Sequence, residues 1–150
     1  AIDNIIRDKV TPKRGSVLHC SMWGVEHTGV YVGNKKIVDL DGDGNIRVRT
    51  PKQFIDGTNA ISIYVACDGT SVLYSNSIAD EAEKNVGNKR NYDFLADNCH
   101  RFAGYCITKD YASEKLVETF SGLEKTIKNH FSPTKFTWRV WDLASSDMFY

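Results

Sequence analysis

His27, Asp39 twelve positions on, and Cys99 just after Asn98 together supply the three parts of a thiol nucleophile: an attacking group, a base and an orienter. A thiol attacks as its thiolate, so a working cysteine needs a base beside it and a field that favours negative charge. The stretch 91–98 is turn-like and ends in Asp97-Asn98, two good helix N-cap types, and Phe102, Ala103 and Cys106 then recur at helical spacing. The pattern predicts a helix from Cys99 to Ile107 with Cys99 in its first turn, facing inward. Unpaired N–H groups and the positive end of the helix dipole would lower a thiol pKa there. The competing reading is a buried cysteine that packs as a small hydrophobe.

The elements that would bring base and orienter together read as a hairpin. Residues 25–32 are rich in β-formers, Gly33-Asn34-Lys35-Lys36 carries turn signals, and Ile37-Val38-Asp39-Leu40 is a second short strand. His27 shares its strand face with Gly29, which has no side chain to block a substrate. Asp39 returns on the partner strand, where a carboxylate could hold the imidazole tautomer. The register is not fixed by sequence, and lone histidines on strands are more often structural.

Taken together, Gly15-Ser16-Val17-Leu18, the run His27 to Asn34, Ala82-Glu83-Lys84 and the block Tyr92-x-x-Leu95-x-x-Asn98-Cys99-x-x-Phe102-x-x-Tyr105-Cys106 resemble the lecithin:retinol acyltransferase-like proteins. That family is a circularly permuted branch of the NlpC-type, papain-like thiol enzymes. The resemblance covers about residues 15–108, with its strongest block at 92–106. It implies His27 as base, Asp39 as orienter and Cys99 as nucleophile, without cofactor or metal. Two departures stand out. The orienter in the acyltransferase branch is usually a second histidine, and the usual Asn-Cys-Glu-His-Phe block is here Asn98-Cys99-His100-Arg101-Phe102. As an immediate helical neighbour, His100 is expected to point away from Cys99.

Asp39 also opens a rival motif. Residues 39–46 fit the first eight positions of a calcium-binding EF-hand loop, with Asp39, Asp41, Asp43, Gly44 and Ile46 in register. The twelfth position is Thr50 rather than a bidentate glutamate, and both flanks read as strands, so an acidic turn is the preferred reading.

Composition frames these sites. The 150 residues suit one domain, spanning 1–150, with a real core. Nineteen basic and nineteen acidic residues balance, so nothing favours nucleic acid or an anionic membrane as partner. No apolar run approaches the roughly 18 residues of a membrane span, so no transmembrane anchor is expected. The chain begins without methionine, which suggests an excised or processed N-terminus. Cys20, Cys67, Cys99 and Cys106 form no dense disulfide framework and no C-x-x-C pair. Cys99 and Cys106 lie two turns apart on one helix, too far for a bridge, so at least one of them is expected to be a free thiol. That suits a reducing, cytoplasmic location, although Cys20 and Cys67 remain able to pair.

The remaining elements read as an α+β domain: an antiparallel sheet of about five strands (16–21, the hairpin, 45–50 and 61–66) packed with helices. One short helix starts at Pro51, another is expected over 72–86, and two more over 113–120 and 123–131. The tail alternates Phe136, Trp138 and Val140 with polar residues, a half-buried strand pattern, and adds Trp141, Phe149 and Tyr150. It either completes the sheet or offers an aromatic lip for a peripheral membrane contact. His19 and His130 are read as structural.

The expected function is therefore a cysteine-dependent acyltransferase or hydrolase working through a thioacyl intermediate. The resemblance implies a lipid ester or amide as substrate. A cell-wall peptide amidase and a non-catalytic binding or signalling module that keeps the fold are the alternatives.

Overall fold

The computed structural model describes residues 8–90, 95–110 and 119–149. The chain is α+β. Strands β1 (Val17–Met22), β2 (Val25–Gly33), β3 (Lys36–Leu40) and β4 (Ile46–Arg49) follow one another and pair antiparallel with their neighbours. Helix α1 (Pro51–Ile55) leads to β5 (Tyr64–Asp68) and β6 (Ser71–Val72), then to helices α2 (Asn76–Lys84), α3 (Leu95–Thr108) and α4 (Phe120–Phe131). Strand β7 (Phe136–Val140) and a final short helix, α5 (Ser146–Phe149), complete the described chain. The sheet order is β4-β3-β2-β1-β5-β6, with β7 paired to β5.

Local chemistry accounts for the turns. Trp23-Gly24 joins β1 to β2 and Asn34-Lys35 joins β2 to β3. All four residues have positive φ, the conformation that matches the twist of a tight hairpin. Thr50 and Gln53 form a reciprocal capping box that starts α1 at Pro51. Gly44 is required by a close approach, since a Cβ there would lie 1.9 Å from the Arg90 carbonyl oxygen.

Alternation along the strands buries both faces of the sheet. One face sets Val17, Val30, Val38, Leu40, Ile46 and Ala66 against α2, α3 and α4 through Ile78, Phe102, Cys106, Leu123 and Ile127. The other sets Leu18, Cys20, Tyr31, Ile37 and Val65 against Phe54 and Ile55 of α1, with Trp141 and Met148. Phe102 and Ala103 are essentially inaccessible and pin α3 to the sheet. Burial of a phenylalanine side chain contributes about 1.5–3 kcal/mol, enough to hold the Cys99 end of α3 in place.

Several expectations are revised. Among the described residues the sheet has seven strands rather than about five, because residues 71–72 pair with Cys67 and Asp68 and residues 136–140 complete the far side. Pairing of Val72 with Cys67 removes it from the expected 72–86 helix, which begins at Asn76. Thr119 caps α4 through the Gly122 N–H, so that helix starts at Phe120 rather than Leu123. The turn expected over 91–98 falls partly, and the helix expected over 113–120 mostly, outside the described residues.

The aromatic tail resolves toward packing. Trp141 is buried against Tyr31, and Trp138 donates from Nε1 to Glu124 at 2.8 Å and stacks on Phe120. Phe149 remains about half exposed, and Tyr150 lies outside the described residues. Among the described residues no helix is long and apolar enough to cross a membrane.

Candidate active site

The β2–β3 ladder runs from Gly33↔Lys36 to Val30↔Val38 and ends there. Just beyond that end, side chains join the strands instead. His27 Nε2 lies 2.8 Å from Asp39 Oδ2, a buried contact between the predicted base and the predicted orienter. Continuing the register sets Asp39 across from Gly29, on the same face as His27 two residues away.

Gly29 is needed for a reason other than substrate access. A Cβ at this position would lie 2.7 Å from Ile37 Cγ2 and 3.0 Å from Phe54 Cε1. The space is filled by protein, which corrects the expectation of an open path. Phe54 in turn packs on the imidazole of His27, with ring centroids 4.8 Å apart, and so limits its rotation.

Asp39 is fully buried, and a buried carboxylate demands charge-paired hydrogen bonds. Arg47, directly opposite it on β4, supplies them: Nε to Oδ1 at 2.8 Å and an Nη to Oδ2 at 3.3 Å. Burial alone would raise the Asp39 pKa, but the bonds from His27 and Arg47 outweigh it and hold the carboxyl below its ordinary value. Arg47 is the site residue that sequence reasoning missed. The available signal was a cation on a short strand returning across an acidic turn from Asp39.

Cys99 lines the same cleft as His27. Nε2 of His27 is occupied by Asp39, so Nδ1 is the ring nitrogen left for the thiol. Burial pushes the Cys99 pKa up, yet hydrogen bonds from His100 and His27 outweigh it and bring the thiol down to about 5. For His27, burial lowers the pKa, and the bonds to Asp39 and to Cys99 more than reverse this, raising it to about 9. Between these two values the pair rests as thiolate and imidazolium, the form in which sulfur is nucleophilic and a proton is ready for a leaving group.

Two expectations about Cys99 are corrected. Helix α3 begins at Leu95, so Cys99 lies in its second turn. Its N–H then falls within the regular i→i−4 pattern of the helix, so the free amides of a first turn do not act on this sulfur. The acidity comes from the two histidines instead. Nor does His100 point away: its Nδ1 lies 3.8 Å from Cys99 Sγ and 3.2 Å from Thr28 Oγ1. Residues i and i+1 diverge on a helix, but the Thr28 hydroxyl draws this ring back toward the sulfur.

The acidic segment is a turn between strands. Asp41 Oδ1 accepts from the N–H groups of Asp43 and Asn45, both at 2.9 Å, and Asp39 faces His27 and Arg47. The carboxylates therefore do not converge, and among the described residues no group of three or more His, Cys, Asp and Glu side chains is gathered to hold a metal ion. Cys20 and Cys67 are free and buried, with burial raising their pKa values to about 12 and about 11. His19 is buried, stacked on Tyr64 and edge-on to Trp138, with its pKa pushed down to about 3 chiefly by burial. That fits the structural role expected for it.

The cleft has a volume of about 450 Å³. Met22, Trp23 and Val25 of the β1–β2 hairpin form its apolar side, with Leu40 and Phe54 deeper, while Glu26 and Asp56 bring negative charge. Trp23 is 71% exposed, yet it is tethered: its N–H donates to Asn59 Oδ1 at 2.8 Å and its indole N–H to the Gly57 carbonyl at 3.2 Å. No protein-family model matches the chain, and the curated proteins include no match to it.

Proposed function

We propose that the protein is a thiol acyltransferase or hydrolase of permuted papain-like type, in which Cys99 attacks an ester, thioester or amide carbonyl. The observation that carries this reading is the buried His27–Asp39 bond at 2.8 Å, with His27 facing the cleft that Cys99 also lines. Sulfur bonds to the acyl carbon, and His27 gives its proton to the departing alcohol, thiol or amine. Water or a second acceptor then attacks the thioester, passing its proton to His27 as the C–S bond breaks. Asp39 keeps the imidazole oriented, and Arg47 keeps Asp39 ionised. The chain order of His27, Asp39 and Cys99, and a helix bearing the cysteine against an antiparallel sheet, support the permuted papain-like arrangement.

The apolar side formed by Met22, Trp23 and Val25 favours a lipid acyl group over a purely polar peptide. Glu26 and Asp56 favour the amidase alternative, since they would receive an amine-bearing substrate. Free thiols at Cys20, Cys67 and Cys99 support a reducing compartment. The test is intact-protein mass spectrometry after incubation with p-nitrophenyl butyrate and, separately, with a peptide amide. An acyl adduct mapped to Cys99 and absent from Cys99→Ser at that position is expected. No adduct with any acyl donor, in protein that melts cooperatively, would leave the non-catalytic binding module.

A further inference from the structure

We propose that His100 is a second hydrogen-bond donor to the Cys99 thiolate, holding the sulfur from the protein interior while His27 works from the cleft. The inference rests on the reading of Cys99 as the nucleophile. Two consecutive residues of β2 face two consecutive residues of α3: His27 lines the cleft with Cys99, and Thr28 Oγ1 lies 3.2 Å from His100 Nδ1. The same Nδ1 lies 3.8 Å from Cys99 Sγ, within range for a bond to sulfur. His100 is only 3% exposed, so its ring is held by packing, including Phe120 at 5.7 Å between centroids.

The surroundings separate the roles of the two histidines. His27 has a carboxylate partner, Asp39, and is built to gain and lose a proton. His100 has a hydroxyl partner instead. The titratable groups around the pair are His27 of β2, His19 and Cys20 of β1, and Asp39 of β3 behind His27. Asp39 is committed to His27 and Arg47, and buried His19 is neutral near pH 7. With Nδ1 protonated, the ring donates toward both the Thr28 oxygen and the sulfur. Negative charge on sulfur strengthens the second of these bonds.

The donor acts twice in the proposed cycle. Before acylation it raises the thiolate population without consuming the proton that His27 must deliver. During deacylation the C–S bond breaks, its electron pair returns to sulfur and the acceptor's proton passes to His27. The re-formed anion is received by the His100 N–H, which makes Cys99 a better leaving group.

The test follows iodoacetamide alkylation of Cys99 against pH, by peptide mass, in wild type and in His100→Ala, His100→Leu, His100→Asn and Thr28→Val. The wild-type midpoint is expected near about 5. Loss of the donor in the Ala and Leu variants should raise it by about one unit or more. Asn can present an amide N–H near the Nδ1 position and should recover most of the shift, an outcome that a merely structural role would not give. Leu fills the space that Ala leaves, so one folded donor-free variant remains if the other does not fold. Thr28→Val should move the midpoint upward by less than His100→Leu. A midpoint unchanged in a folded donor-free variant, or shifted equally by Asn and Leu, overturns the proposal while Cys99 still reacts first in wild type. If wild-type Cys99 does not react first, the nucleophile reading fails instead.

Discussion

Selective alkylation of Cys99 is the most direct consequence of the site, and its size follows from the three thiol pKa values. At pH 7 a thiol of pKa about 5 is almost wholly ionised, whereas Cys67 near about 11 and Cys20 near about 12 are ionised to roughly one part in 10⁴ and 10⁵. Low pKa also weakens a thiolate as a nucleophile, by about 0.4–0.5 log units per unit of pKa. Over six or seven units this returns roughly 10²·⁴ to 10³·⁵ of the advantage. Ionisation still wins, leaving Cys99 about 10–40-fold faster than Cys67 and about 30–160-fold faster than Cys20. Burial of Cys20 and Cys67 widens the gap, since neither has accessible surface. The margin should shrink about tenfold for each pH unit above 7, because Cys99 is already ionised and the others are not. Limited iodoacetamide labelling of native protein at pH 6, 7 and 8, quantified by peptide mass, measures all of this. Preferential labelling of Cys20, Cys67 or Cys106, or a Cys99 rate that rises with a midpoint near the ordinary thiol value of 9.0, would refute the assignment.

Three further outcomes are expected. Turnover of a p-nitrophenyl ester needs thiolate and imidazolium together, so its pH profile should be a bell with limbs near about 5 and about 9. In Asp39→Asn the carboxylate no longer opposes burial at His27, while the Cys99 thiolate still does, so the upper limb should fall below about 9. An upper limb unchanged at about 9 would exclude Asp39 from its role. Gly29→Ala forces a Cβ to within 2.7 Å of Ile37 and should destabilise the fold by about 1–3 kcal/mol in urea unfolding, with unchanged stability counting against the packing described. Trp23→Ala, at an exposed position on the cleft, should raise KM for long-chain esters with kcat and Tm nearly constant. Trp141→Ala, at a buried one, should instead cost about 3–5 kcal/mol of stability, and the reverse pattern would return the substrate lip to the tail.

Much of the site was legible because it is written in local patterns. Alternation and the Gly33-Asn34-Lys35-Lys36 turn marked the hairpin, and the spacing of Phe102, Ala103 and Cys106 from Cys99 marked a buried helical face. The structure agrees in β2, β3 and the buried side of α3. Helix bounds were less legible. Val72 is a good residue for either a helix or a strand, and its pairing with Cys67 decided for the strand. The sequence left the aromatic tail to complete the sheet or to form an exposed lip, and packing decided for the sheet, because exposure depends on what a residue packs against. Trp141 finds Tyr31, whereas Trp23 sits on a hairpin tip with the cleft beside it.

The amino-acid sequence by itself determined which residue types were available for thiol chemistry, that they would lie on a hairpin and a helix, and that basic and acidic residues balance. These follow from side-chain chemistry and from periods of two and 3.6 residues, which act over a few neighbours. Only the tertiary structure decided that Asp39 meets His27, that Arg47 neutralises it, and that His100 turns toward the sulfur rather than away. Each of these is a contact between separate strands, or between a strand and a helix, selected by register and burial. A buried charge must find its partner wherever packing brings one within reach, and that requirement is not carried by local spacing.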